Sequence, residues 1–298
     1  GYDFFARCAA KHLADEHVPL AAMPGAYSRV IREPLGVIGV IAPWNYPFHL
    51  SQMDVPAALM AGNAVIIKMS EHAAAVGEVI AEILEAADLP DGLVQVIQGR
   101  GDLGEALIGA GIDRVCFTGS TDTGRVVYAA AARAMIPCTL EMGGKDAALV
   151  LDDADIEGAA DGIVWAAMTN AGQVCASVET VHVPRASLDR FLAAIQERLD
   201  ALASGEVGPM TTGFQRDRVL SQVDEALAQG ATVAAQGPAP TAPDRSVTPQ
   251  FLVDVPDQTA LAREETFGPV CVVRPYDDLE AAVAAVNDSP FGLTARIW

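Results

Sequence analysis

Four short apolar runs, each followed by a helix-like stretch, constrain the first half of this chain more than any other feature. They are Gly36-Val37-Ile38-Gly39-Val40-Ile41, Ala64-Val65-Ile66-Ile67-Lys68, Leu93-Val94-Gln95-Val96-Ile97 and Arg114-Val115-Cys116-Phe117-Thr118. Runs this continuously apolar suit strands covered on both faces. Between them, helices are predicted over 50–61, 73–88, 101–110 and 122–134. In the second of these, Val76, Val79, Ile80, Ile83, Leu84 and Ala87 recur at helical spacing. Strands alternating with helices form βαβ units and a mainly parallel sheet.

The alternation restarts after residue 143. Strands are predicted over 147–150, 178–183, 231–235 and 270–274, and helices over 155–171, 187–203, 212–229 and 277–287. Residues 236–249 hold Pro238, Pro240, Pro243 and Pro249 and read as a surface loop, and 263–269 as a turn. At the start, 1–15 reads as helix, and 16–34 as a two-stranded ribbon with Pro19, Pro24, Pro34 and a Gly25 turn. The expected fold class is α/β, with two doubly wound, mainly parallel-sheet domains and a small β-hairpin. A length of 298 residues accommodates two domains.

Composition excludes several classes of function. A net charge of -20 argues against a nucleic-acid partner, whose phosphates demand basic patches. With 51% hydrophobic residues the chain is not of the disordered class. The five cysteines are widely spaced, odd in number and lack a CxxC pair, so neither a disulfide framework nor a zinc site is expected; this fits a reducing, cytoplasmic setting. The histidines show no metal spacing, and no apolar run approaches the roughly 18 residues of a membrane span. Both ends read as cut: Gly1-Tyr2-Asp3-Phe4-Phe5 opens in helical character without a signal-peptide pattern, and Thr294-Ala295-Arg296-Ile297-Trp298 closes on the start of a strand.

Candidate chemistry clusters where strands give out. In Thr169-Asn170-Ala171-Gly172-Gln173-Val174-Cys175-Ala176-Ser177 a cysteine follows a Gly-Gln turn at the end of a predicted helix. Such a place brings a thiol near unpaired backbone N–H groups and makes it a nucleophile, although a free cysteine in isolation is as well read as a small buried hydrophobe. In Pro43-Trp44-Asn45-Tyr46-Pro47 an amide held between prolines is either a turn former or a rigid donor to an oxyanion. Lys68-Met69-Ser70-Glu71 is either a helix cap with a surface lysine or a clasp for a ribose. Phe117-Thr118-Gly119-Ser120-Thr121-Asp122-Thr123-Gly124 is a strand, glycine turn and helix start, a place for phosphate. Glu141 beside Met142-Gly143-Gly144 is either a solvated strand-end acid or a half-buried general base. Glu265 and Phe267 lie in a Gly-Pro-bounded turn. Cys8, Cys116, Cys138 and Cys271 read as buried hydrophobes.

Taken in order, Pro-Trp-Asn-Tyr-Pro, Lys-x-Ser-Glu, Phe-Thr-Gly-Ser with a glycine five residues on, Glu-x-Gly-Gly-Lys, Gly-Gln-x-Cys and Glu-Glu-x-Phe-Gly-Pro closely resemble the aldehyde dehydrogenase superfamily over essentially the whole chain. The resemblance implies a cofactor-binding domain of residues 1–15 and 35–142, an oligomerisation hairpin of 16–34, and a catalytic domain of 143–298 cut short at its end. It implies Cys175 as nucleophile, Asn45 and the Cys175 N–H as oxyanion hole, and Glu141 as the base that activates water. Lys68 and Glu71 then resemble the ligands of the adenosine ribose, Gly119, Ser120 and Gly124 the pyrophosphate turn, and Glu265 and Phe267 the ligands of the nicotinamide ribose and ring. Trp44, Met142 and Gly143 belong to the same cofactor surface. The implied reaction is oxidation of an aldehyde to its acid with NAD+ through a thiohemiacetal and a thioester. Glu71 disfavours a 2′-phosphate, while Lys68 keeps NADP+ open.

Positions resembling the family's substrate tunnel are Tyr46, Leu50, Met53, Thr169, Val174 and Ala176, which point to an uncharged aliphatic or aromatic aldehyde. Relatives that act on succinate semialdehyde resemble one another in an arginine at the position of Met53. The resemblance further implies a homodimer or homotetramer for the full-length protein. The competing readings are a fragment that binds nucleotide or a partner without turnover, and a coenzyme-A-acylating relative, which would lack Glu141. The family pattern has proline where Met69 stands, and the connection 201–208 is shorter than usual.

Overall fold

The computed structural model describes residues 2–23, 25–203, 205–239 and 244–298. Gly1, Pro24, Ser204 and 240–243, with Pro240 and Pro243 of the predicted loop, lie outside the described residues. The chain divides into two compact units, Gly1–Met142 and Gly143–Trp298.

The first unit opens with α1 (Tyr2–Leu13) and an antiparallel hairpin, β1 (Glu16–Pro19) and β2 (Tyr27–Val30). The parallel region follows as β3 (Val37–Ile41), α2 (Pro47–Ser51), α3 (Val55–Met60), β4 (Ala64–Met69), α4 (Ala74–Ala86), β5 (Val94–Gln98), α5 (Gly101–Gly109), β6 (Arg114–Thr118), α6 (Thr121–Ala134) and β7 (Cys138–Glu141). Its sheet has the order β5-β4-β3-β6-β7, with every pairing parallel. Alternate residues of β3 point to opposite faces. Ile38 and Val40 join Val65, Ile67 and Ile80 in one core cluster, and Ile41 joins Leu107, Phe117 and Val127 in another. The predicted helix over 50–61 is two helices. Pro56 has no N–H and its ring crowds the carbonyl four residues back, so α2 stops and α3 starts with Pro56 in its first turn.

The second unit contains β8 (Ala147–Leu149), α7 (Ile156–Met168), β9 (Thr180–Pro184), α8 (Leu188–Asp200), α9 (Gly213–Ala228), β10 (Thr232–Gln236), β11 (Gln250–Val253), α10 (Ala260–Arg263), β12 (Val270–Tyr276), α11 (Leu279–Asn287) and β13 (Ala295–Ile297). The sheet order is β10-β11-β12-β9-β8-β13, parallel except for the β10–β11 pair. One core cluster packs Ile163, Phe191, Ile195 and Leu199 on Val181 and Val273; another gathers Val219, Val223, Leu252, Leu261 and Val272. The helix predicted over 155–171 ends at Met168. Asn170 and Ala171 adopt left-handed backbone, φ 53° and 55°, which no helix continues through. The strand predicted from 178 begins at Thr180.

Candidate active site

In the first unit, all strands of the sheet run parallel, so their carboxyl ends share one edge. That edge collects Trp44 and Asn45 beyond β3, Lys68 and Glu71 at the end of β4, Gly119 and Ser120 beyond β6, and Glu141 at the end of β7. β3 lies between β4 and β6, where the chain's winding reverses direction; in open α/β sheets this is where ligands bind.

Lys68 is buried, against the surface placement that its tetrapeptide alone allows; its Nζ lies 4.0 Å from the exposed Glu71 carboxylate. Burial lowers the Lys68 pKa, and the charges of Glu71 and Asp102 oppose that. Ser120 caps α6, its Oγ accepting from Thr123 N at 3.3 Å. A Cβ at Gly119 would stand 2.5 Å from the Phe117 ring, and one at Gly124 2.5 Å from Met142 Sδ. The Gly119 amide donates to the Glu141 carbonyl at 3.0 Å, tying the glycine turn to β7. The Glu141 carboxyl is exposed, not half-buried as one reading of its motif had it. Tyr46 and Leu50 enter α2, with Leu50 N bonded to Tyr46 O at 2.9 Å, and Met53 is exposed.

In the second unit the candidate residues gather at the amino ends of β8, β9 and β12, three adjacent strands. Cys175 occupies the second position of a turn closed by Ser177 N donating to Val174 O at 2.9 Å. Two side chains set this loop. Gln173, 1% exposed, donates to Asn170 O at 2.9 Å and accepts from Thr211 N at 2.8 Å. Ser177 Oγ donates to Ala166 O at 3.1 Å, anchoring the far side to α7. Thr169 and Val174, before Cys175, and Ala176 after it are half-buried. Burial pushes the half-buried Cys175 thiol up; the Ala176 backbone amide opposes this, and the charges of Glu265 and Asp146 add to it.

Glu265 faces the Gly143-Gly144 turn. Gly144 N donates to its carboxylate at 3.3 Å, and a Cβ on Gly143 would overlap the same carboxyl. Burial, with Glu179's charge adding, raises the Glu265 pKa to about 7. Phe267 is held at φ 54°, a left-handed conformation rare for an aromatic residue. Gly172, at φ +70°, packs directly on the Gly268 backbone, which leaves no room for a Cβ. The cysteine loop and the 265–268 turn are therefore in direct contact.

Glu179 was visible in the sequence only as an acid in an apolar run, and Lys145 only as the end of Glu-x-Gly-Gly-Lys. The structure joins them: Lys145 Nζ lies 2.7 Å from Glu179 Oε2, both side chains being at most 5% exposed. Among the described residues no group of three or more His, Cys, Asp or Glu is placed to hold a metal ion, and no helix is long and apolar enough to cross a membrane. Cys116 and Cys271 are buried, whereas Cys8 and Cys138 are only half so.

The model of the aldehyde dehydrogenase family matches residues 2–298. The chain belongs to the aldehyde dehydrogenase family. It is 46% identical, over 93% of its length, to a 4,4'-diapolycopene aldehyde oxidase of Methylomonas sp, of which it spans 53%. It is 39% identical, over its whole length, to a betaine aldehyde dehydrogenase of Sinorhizobium fredii, of which it spans 63%. Among solved structures, the Mycobacterium tuberculosis aldehyde dehydrogenase complexed with NAD+ matches 99% of the chain at TM-score 0.92 and 34% identity, and the chain covers 63% of it. The chain thus spans between about half and two thirds of the length of these relatives. The expected α/β class with parallel-sheet domains holds for this aldehyde dehydrogenase chain.

Proposed function

We propose that the full-length protein containing this chain oxidises an uncharged aliphatic or aromatic aldehyde to its carboxylic acid with NAD+. The observation that carries this reading is the Cys175 loop: a half-buried thiol in a turn fixed by Gln173 and Ser177, packed on the turn that presents Glu265 and Phe267.

The chemistry follows from these groups. The Cys175 thiol gives its proton to solvent water and the thiolate adds to the aldehyde carbon, forming a C–S bond while the carbonyl π pair moves to oxygen. By the family pattern, the Asn45 side-chain amide and the Cys175 backbone N–H donate to that oxyanion. A nicotinamide cofactor held by Glu265 and Phe267 would supply the acceptor for the hydride that leaves the former carbonyl carbon. As the oxyanion pair returns to re-form C=O, a thioester remains on Cys175. Glu141 takes a proton from water, hydroxide adds to the thioester, and the C–S bond breaks with Cys175 leaving as thiolate. An exposed Glu141 carboxylate meets the water this step consumes.

The cofactor surface fits the same reading. Glu265 accepts from the nicotinamide-ribose hydroxyls and Phe267 lies beside the ring. Lys68 and Glu71 clasp the adenosine ribose, and Glu71's negative charge favours NAD+ over NADP+. Gly119, Ser120 and Gly124 form the pyrophosphate turn, with Trp44, Met142 and Gly143 completing the surface. None of Tyr46, Leu50, Met53, Thr169, Val174 and Ala176 carries a charge to pair with a charged substrate. The β1–β2 hairpin exposes Val18, Tyr27 and Val30, suiting it to subunit contact in a homodimer or homotetramer. A cytoplasmic setting keeps the thiol reduced.

The test is NADH absorbance with an aldehyde panel, with and without coenzyme A, on the full-length protein. Turnover of hexanal or benzaldehyde without coenzyme A, lost in Cys175→Ala with NAD+ binding retained, is the expected result. Absence of NADH with every aldehyde, or turnover persisting in Cys175→Ala, refutes it.

A further inference from the structure

We propose that Glu179, paired with Lys145, is a positioning residue for cofactor binding: its buried carboxylate fixes the backbone of the 265–267 turn and so holds Glu265 and Phe267 toward the nicotinamide end of NAD+. This rests on the reading of Glu265 and Phe267 given above.

The geometry is specific. Glu179 accepts from Thr266 N at both oxygens, 3.0 and 2.8 Å, and from Phe267 N at 2.8 Å. Lys145 Nζ bonds the same carboxylate and also donates to Thr266 Oγ1 at 3.0 Å. One carboxylate thus gathers two successive main-chain amides and one ammonium. Bonds of this kind, with an ionised partner and little water, are the strong class of hydrogen bond.

The pair does more than fill the core, because of where its two members lie. Lys145 directly follows Gly143-Gly144, the turn that Glu265 faces and whose Gly144 amide bonds the Glu265 carboxylate. Glu179 lies four residues after Cys175, and its own amide donates to Asp146 O at 3.0 Å. The cysteine loop, the glycine turn and the 265–267 turn therefore share one buried charged joint. From the other side, Gln215 Nε2 donates to Thr266 O at 2.9 Å and Phe267 O at 3.2 Å. Both the N–H and the C=O sides of the turn are held by buried side chains reaching in from β9's approach and from α9. Such clamping keeps Phe267 in its left-handed conformation, a strained backbone that persists only where the surroundings over-determine it.

The experiment compares Glu179→Gln, Gln215→Leu and Glu265→Gln in the full-length protein, with active fraction set by stoichiometric alkylation of Cys175. Glu179→Gln keeps the side chain's shape but replaces one acceptor with a donor facing other donors. Loss of one charge-assisted bond at the turn corresponds to about a tenfold rise in KM for NAD+. The expected result is that rise in Glu179→Gln, a smaller rise in Gln215→Leu, and KM for aldehyde unchanged in both, per active site. A purely structural role would lower the active fraction and leave both KM values where they were. If Glu265→Gln raises KM for NAD+ while folded Glu179→Gln does not, the positioning role is overturned and the function stands. If Glu179→Gln does not fold, Gln215→Leu decides by the same criterion. If Glu265→Gln also leaves KM for NAD+ unchanged, the assignment of Glu265 falls and the positioning role with it.

Discussion

Gly172 is the place where a single methyl group tests the architecture of the second unit most sharply. Its φ of +70° lies in the left-handed region, and the Cβ that alanine adds would land on the backbone carbonyl of Gly268. The left-handed conformation costs an alanine about 1–2 kcal/mol. The obstacle is backbone, not a flexible side-chain end, and it is pinned: Gly268 O accepts from Val270 N at 2.8 Å. Overpacking against such a neighbour typically costs about 1–3 kcal/mol. The sum for Gly172→Ala is about 2–5 kcal/mol. At about 2–4 °C per kcal/mol for a unit of this size, the melting temperature should fall by roughly 4–20 °C. Differential scanning calorimetry of the full-length protein measures it. Gly109→Ala, at a helix position with nothing within 4 Å of the new Cβ, is the control and should melt no lower than the parent. A Gly172→Ala variant melting within about 1 °C of the parent would refute the argument that the cysteine loop and the 265–268 turn need bare backbone between them.

The Cys175 thiol is pushed up from an ordinary value of 9.0, so its alkylation rate by iodoacetamide should still be climbing at pH 9, while buried Cys116 and Cys271 stay unmodified; a plateau below pH 8 in peptide mass spectrometry contradicts this. Glu265 has its pKa raised from 4.5 to about 7, so over that window the folded protein holds a proton that the unfolded chain has released. Stability therefore falls as pH rises from about 4.5 to 7, and Glu265→Gln should flatten that part of a urea-denaturation pH series. Glu179→Gln should raise KM for NAD+ about tenfold per active site, as steady-state kinetics would show. Met53→Arg places a cation among the proposed substrate residues and should raise kcat/KM for succinate semialdehyde relative to hexanal by about tenfold; an unchanged ratio removes Met53 from the substrate surface.

The sequence was most legible where physics is local. β3, β4, β5 and β6 are apolar runs with helices between them, and each forms within a residue or so of its predicted place. β7 and β11 were missed because Cys-Thr-Leu-Glu and Gln-Phe-Leu-Val are too short and mixed to stand out; they become strands by pairing, β7 beside β6 and β11 between β10 and β12. The overrun of α7 has a different cause. Ala171 fits the apolar stripe of that helix, but Asn170, which tolerates left-handed backbone, and Gly172 end it. At the site, the ordered motifs pointed to Cys175, Asn45, Glu141 and Glu265, but not to what supports them. Glu179 meets Thr266 and Phe267, residues 87 and 88 positions away, and no local periodicity carries that pairing.

Those separations also set the order in which reactivity can arise. Lys145 and Thr266 are 121 residues apart, and Gly172 also meets a residue, Gly268, far along the chain. Contacts this distant form only after the intervening loop has closed, so they arrive late in folding. A ribosome that has just released Cys175 has made the proposed nucleophile but none of the turn that flanks it. The shaped thiol site exists only once β12 has docked beside β9, nearly a hundred residues of synthesis later. Until then Cys175, the proposed nucleophile, is a cysteine without the turn that flanks it in the folded chain.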